Sequence, residues 1–215
     1  MTHSEQMMAA IQNEDLVQAQ IELNEAIKTD DSETLIELGE VLLSIGFLEE
    51  ATSVYETLIK RLPEEAAAFL IPLAEIAIEN NEIEEAFEQL EKIDKDNPYY
   101  PQSLLVTADL YQILGIPEVS EAKLQEAKTL LPDEPMIDFA FAELYFSNQQ
   151  YGEAHGYYQA LLDAKIPEVL GISMIERIGT LLSMQGRFEA AIPYLESAIQ
   201  EKETPDSLFQ LAFVY

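Results

Sequence analysis

A chain of 215 residues with 41 acidic and 11 basic side chains carries a formal charge of -30. Such a surface repels nucleic-acid phosphate and anionic lipid and attracts basic partners. There is no cysteine, which excludes disulfides, thiolate metal sites and a lipidated anchor cysteine. Apolar residues make up 48%, enough to build cores despite the charge. The N-terminus, MTHSEQMMAA, lacks the basic start and long apolar core of a signal peptide. The longest apolar run, about Ala66 to Ala74, is broken by Pro72 and falls short of the ~20 residues that cross a bilayer. A cytoplasmic protein with no membrane segment is the expectation.

Taken in order, residues 1–30 read as a helix pair, with Ala19, Leu23 and Ala26 spaced along one face of the second helix. From Asp31 to Glu65 comes a fuller version: two short helices, a turn at Gly46, Ala51 early in the second helix and Pro63 at its end. This design recurs. The small residue of the second helix returns at Ala86, Ser120, Ala154 and Ala191, at intervals of 35, 34, 34 and 37 residues. Four positions after each stands a bulky residue: Tyr55, Leu90, Leu124, Tyr158 and Leu195. The first helices carry Leu38-Gly39, Leu73-Ala74, Thr107-Ala108, Phe141-Ala142 and Ile178-Gly179. A small residue lets two helix axes approach, and bulky neighbours fill the groove beside it. One such pair cannot bury its apolar stripe alone, so neighbouring pairs must stack.

The pattern predicts about eleven to thirteen helices and no strand, with turns near Gly46, Asn80–Asn81, Gly115, Asn148 and Gly186. Pro72 and Pro193 are expected near first turns, where a missing N–H costs least. The extra residues around Lys165 to Gly171 are expected to lengthen the following first helix, with Pro167 at its start. Thr204 and Pro205 open one more helix, and the sequence stops before a second. That predicts a fragment of a longer protein, or an edge of Phe209, Phe213 and Tyr215 that self-associates.

Catalytic motifs are missing. His3 lies at an end expected to fray, and His155 stands alone within a second helix, without the partners that activate a nucleophile. The glycines around Gly152 lack the spacing and the preceding strand of a phosphate loop. The acids at Asp94 lack the glycine and closing Glu of a calcium loop. No enzyme, cofactor or metal is expected.

The 34-residue spacing, the small residue after an apolar one in the first helix, the Ala of the second helix and the closing prolines resemble the tetratricopeptide repeat (TPR). The likeness is fullest in ERIGTLLSMQGRFEAAIPYLESAI. The family's first-helix Trp is replaced, with Leu35 or Phe69 as the stand-in. The resemblance implies an all-α, right-handed α-solenoid over 1–215: a capping pair at 1–30, five units over 32–204, and the first helix of a further unit at 205–215. It also implies a protein-binding concave wall formed by the first helices. Carried onto this sequence, that wall has the strips Ile36-Glu40-Leu43, Ile71-Glu75-Ile78, Leu105-Asp109-Gln112 and Phe139-Glu143-Phe146. In the fifth unit Glu176-Thr180-Ser183 stands beside Arg177 and the ladder of acids ends. Acids flanked by apolar residues suit a basic, apolar peptide or partner helix. The family's carboxylate clamp is excluded, because Ile36, Glu40, Ile71 and Glu75 occupy its slots. The alternative is a structural module assembling through the C-terminal edge.

Overall fold

A computed structural model describes residues Met1–Tyr215. Thirteen α-helices account for most of the chain: α1 (His3–Gln12), α2 (Leu16–Thr29), α3 (Ser32–Ser44), α4 (Leu48–Arg61), α5 (Ala66–Glu79), α6 (Ile83–Leu90), α7 (Tyr100–Ile113), α8 (Pro117–Leu130), α9 (Pro135–Ser147), α10 (Tyr151–Asp163), α11 (Met174–Met184), α12 (Phe188–Glu201) and α13 (Pro205–Val214). They pack as two compact units, Met1–Val106 and Thr107–Tyr215, divided within α7. No helix is long and apolar enough to cross a membrane.

The helix starts are written locally. Asp15, Asp31, Ser173 and Thr204 each accept a hydrogen bond from the backbone N–H three residues on, which satisfies an orphan donor of the first turn. Pro205 follows Thr204 at the first helical position, where no N–H is needed. Thr2 and Glu5 form a reciprocal capping box at α1. The end expected to fray is thus a closed helix start, and His3 Nδ1 lies 2.6 Å from Glu22 Oε2 on α2.

The hairpin turns share one geometry. Glu14, Gly46, Asn81, Gly115, Gln149 and Gly186 all have left-handed φ, from 60° to 82°. In each case the next residue's N–H reaches back to the helix, as in Phe47 to the Leu42 carbonyl at 2.9 Å and Arg187 to Leu182 at 2.9 Å. The turn residue's own N–H bonds one carbonyl further on, as in Gly46 to Leu43 at 3.1 Å. These are Schellman caps, which close the helix and reverse the chain in one step. The turn near Asn148 puts Gln149, not Asn148, in the left-handed place.

Within each unit the small residues sit at helix contacts. Ala51 and Ala86 are fully buried in the first unit, and Ser120, Ala154 and Ala191 are buried in the second. The facing glycines are there for room. A Cβ on Gly39 would stand 2.9 Å from the Tyr55 ring, and one on Gly179 would stand 2.8 Å from Leu195. In the second unit, Phe141 stacks on Tyr157 at 5.1 Å and Tyr145 lies beside both.

Three expectations are corrected. The residues before α11 do not extend it, and the chain is not free of strand. Glu168–Val169 (β1) and Ile172–Ser173 (β2) pair antiparallel across a two-residue turn, with φ of 50° at Leu170 and 77° at Gly171. Two successive left-handed residues are what a tight hairpin of this twist requires, and Gly171 supplies one at no steric cost. The helical spacing of PEVLGISMIERI is real only from Met174 on. Pro72 and Pro193 also lie beyond the first turns of α5 and α12. Each therefore removes one backbone hydrogen bond inside a helix.

Candidate functional site

The first-helix strips are built unevenly. On α3, Glu40 is exposed while Ile36 and Leu43 are half-buried against the core. On α5, Glu75 is exposed and Ile78 half-buried, but Ile71 is only 2% exposed. Leu105, in the same unit, is half-buried on α7. In the second unit, Asp109 is exposed, and the Gln112 amide donates to Ser147 Oγ at 2.8 Å. Phe139 is 5% exposed, while Glu143, Phe146 and Arg177 are half-buried. Ile71 and Phe139 therefore belong to the core and offer a partner almost no surface. An α5 or α9 that is apolar on most sides packs on more than one of them.

The tyrosines of the second helices lead to the acids of the first. Tyr55 passes over Gly39, the residue before Glu40. Burial first, then the charges of Glu40 and Glu75, push its phenol up to about 12. Those two carboxylates therefore bear on one point of the first unit. The same slot in the second unit holds Tyr158, whose hydroxyl donates to Glu143 Oε1 at 2.6 Å. Burial first and this carboxylate second hold its phenol above the usual range.

Glu143 is held on both sides. Arg177 Nη2 donates to its other oxygen at 2.9 Å, and the guanidinium lies 5.4 Å from the centre of the Phe146 ring. Three residues expected to line a groove thus also hold one another. Asp109 differs. Its carboxylate keeps contact with water, yet the surrounding protein mass desolvates it and pushes it up to about 6, because burial disfavours the charged form. Tyr55 and Tyr158 escaped sequence reasoning because they occupy a slot that Leu90, Leu124 and Leu195 fill elsewhere. The signal was that a buried Tyr brings a hydroxyl that needs a partner.

At the C-terminal helix, Phe209, Phe213 and Tyr215 are 69%, 61% and 79% exposed. Phe213 meets Phe188 edge-on at 6.0 Å, and Tyr215 donates to Glu196 at 2.9 Å. No group of three His, Cys, Asp or Glu side chains is arranged to hold a metal ion.

Comparison with known proteins agrees with this architecture. A family model described as the ARM repeat of tetratricopeptide repeat protein 21 matches residues 2–113, just over half of the chain. One described as YpiA-like, tetratricopeptide repeats, matches residues 112–166. The chain is 40% identical over 168 residues to the TPR repeat-containing protein YpiA of Bacillus subtilis. That alignment takes in 78% of this chain and 39% of YpiA, so the chain spans about two fifths of that relative. Among solved structures it resembles a tetratricopeptide repeat protein from Parabacteroides merdae, with 20% identity, a TM-score of 0.68, and 98% of this chain and 82% of that one covered. It also resembles a thermophilic TPR protein from Thermus thermophilus, with 19% identity, a TM-score of 0.69, and 86% and 98% covered. Those two likenesses concern the fold alone. With its buried small residues, paired helices and repeated caps, the chain belongs to the tetratricopeptide repeat family.

Proposed function

We propose that this chain is a non-enzymatic scaffold that holds a basic, apolar segment of another protein against the inner faces of its first helices. Repeats of this family serve protein–protein interaction, and one structural neighbour, YrrB, is described as a TPR protein with an unusual peptide-binding site. The observation that carries the reading is the first unit's surface. Glu40 and Glu75 stand exposed beside half-buried Ile36, Leu43 and Ile78, and their joint charge reaches the Tyr55 phenol. A cationic segment laid there gains on-rate from the field and residence from the apolar flanks. In the second unit Asp109 and Phe146 offer the same chemistry, while the Glu143 charge is already paired with Arg177. The repeat units are taken as 32–204, with 1–30 as a cap.

A fluorescent amphipathic Lys/Leu peptide tests this by anisotropy. E40K/E75K is expected to weaken it about tenfold and to flatten its salt dependence, with circular dichroism unchanged. E56K/E88K, on second helices, is expected to leave binding as it was. Phe146→Ala is expected to speed dissociation without slowing association. Equal loss from both charge reversals overturns the reading, since the peptide would then be sensing net charge alone.

A second reading, self-assembly, is favoured by one observation: the exposed aromatic face of α13. Light scattering of wild type against F209S/F213S decides it, with loss of a concentration-dependent dimer as the supporting result.

A further inference from the structure

The β1–β2 hairpin does more than join α10 to α11. Together with α11 and α13 it encloses a cleft of about 330 Å³. A helix of roughly 10 Å diameter would fill that volume in less than one turn, so the cleft has room for a side chain and not for a packed helix. Gly171, Ile172 and Ser173 form one lip, Glu176, Arg177 and Thr180 one wall, and Asp206, Phe209 and Gln210 the other.

The charge balance decides what fits. Arg177 is turned mainly to Glu143: its Nη2 bonds that carboxylate, its guanidinium faces the Phe146 ring, and its Nε is buried without a hydrogen-bond partner. Its charge is therefore paired with Glu143, outside the cleft lining. Glu176 and Asp206 form no ion pair with any cation of the chain. The cleft keeps two carboxylates with no cationic side-chain partner, each balanced only in part by the N-terminus of its own helix, and together they repel a carboxylate and attract a cation. Phe209 is 69% exposed and stacks on no ring of the chain, which leaves a face available to a cation. Thr180 and Gln210 offer further oxygen acceptors. That matters because an ammonium carries three donors and a guanidinium five. A metal ion is disfavoured, since no three ligating side chains converge here.

We propose that this cleft is a pocket for one lysine or arginine side chain of a protein partner, with Glu176 and Asp206 as its counter-charges and Phe209 as its aromatic wall. It rests on the reading of the chain as a binder of basic segments, and it names a place where such a segment is anchored. The hairpin is the local departure from the repeat that supplies one lip of the pocket.

The probes are Nα-acetyl-lysine amide and Nα-acetyl-arginine amide, with Nα-acetyl-norleucine amide as the uncharged comparison, titrated into the full chain and followed by amide chemical shifts. Saturable shifts at Gly171, Ser173, Thr180 and Gln210 are expected for the cationic probes, with affinity on the order of millimolar, and none for norleucine amide. E176Q/D206N is expected to weaken them at least about tenfold, and Phe209→Leu about threefold. An unchanged dispersion of the remaining amides reports that each variant folds. Equal binding of norleucine amide, or undiminished binding to E176Q/D206N, overturns the pocket. The groove fails separately. If the single-residue probes miss this cleft while the Lys/Leu peptide still depends on Glu40 and Glu75, the pocket is wrong and the groove reading stands. If the probes bind here and the peptide ignores Glu40 and Glu75, the groove reading falls and the pocket stands.

Discussion

The Tyr158 hydroxyl donates to Glu143 Oε1 at 2.6 Å, and so ties the second helix of a repeat to an acid of the first. Arg177, from the next helix pair, occupies the other oxygen of the same carboxylate. Tyr158→Phe is expected to cost about 1–2 kcal/mol, as a charge-assisted bond is lost while Glu143, 28% exposed, recovers some hydration. Arg177→Met, which keeps most of the packing on Phe146, is expected to cost about 1 kcal/mol. The two should not add, because each leaves the other donor on Glu143. Urea denaturation of the double-mutant cycle measures this, and strict additivity would show that Glu143 does not couple the two.

Ser120 stands where four other repeats have alanine, is 1% exposed, and its hydroxyl has no hydrogen-bond partner. A buried hydroxyl without a partner costs about 1–3 kcal/mol. Ser120→Ala is therefore expected to raise stability by about 1 kcal/mol, read as a higher urea midpoint with an unchanged m-value.

Gly179 and Gly46 separate two uses of glycine. A Cβ at Gly179 meets Leu195 at 2.8 Å, whereas Gly46 faces open space with φ of 82°. Gly179→Ala gains about 1 kcal/mol of helix propensity but forces an overpacking cost of about 1–3 kcal/mol, for a net loss. Gly46→Ala loses about 1 kcal/mol through backbone conformation alone. Leu195→Ala removes both carbons that the Gly179 Cβ would meet, so Gly179→Ala should cost less in that background than in the wild type, and Gly46→Ala should cost the same in both. Thermal melts of the single and double variants check this.

His3 and Glu22 give the first hairpin a pH window. The hydrogen bond to Glu22 raises the His3 pKa, and the same bond lowers that of Glu22. A raised histidine contributes fully below its unfolded value of about 6.5 and loses that contribution as pH rises through its folded value. A lowered carboxylate contributes above its unfolded value of about 4.3 and loses that contribution as pH falls through its folded value. Both are present together between roughly pH 4.3 and 6.5. Protection of α1 amides, corrected for intrinsic exchange, should peak in that window. The fall on its alkaline side should vanish in His3→Gln.

Asp109 should make binding of the basic Lys/Leu peptide pH-dependent. Its carboxyl is pushed up to about 6, so it is largely neutral below that pH and charged above it. For folding, this term favours the native state at low pH and is lost as pH rises through about 6. For a cationic ligand the sign reverses, and affinity should rise across pH 6. Asp109→Asn should remove that step while leaving binding at pH 5 unchanged. Anisotropy titrations at the two pH values test it.

The repeat was legible because its signals are local or nearly so. Gly46, Gly115 and Gly186 mark left-handed turns, since only glycine takes that φ freely. Ala51, Ala86, Ala154 and Ala191 mark close helix contacts, since only a small side chain fits between packed axes. Thr204 and Pro205 announce a helix start through the chemistry of one turn.

What the amino-acid order could not settle depends on which atoms meet across the fold. PEVLGISMIERI keeps apolar residues at helical spacing, yet Leu170 and Gly171 turn left-handed and residues 168–173 pair as a hairpin, because local spacing does not fix the competing backbone state. Ile71 and Phe139 look like groove residues on a helical wheel, but neighbouring helices cover them. Glu143 reads as one acid in a ladder. Its charge is taken by Arg177, 34 residues on, and its other oxygen by Tyr158. Tertiary packing alone decided these, because an ion pair and a shared hydrogen bond depend on distance in space and not on separation along the chain.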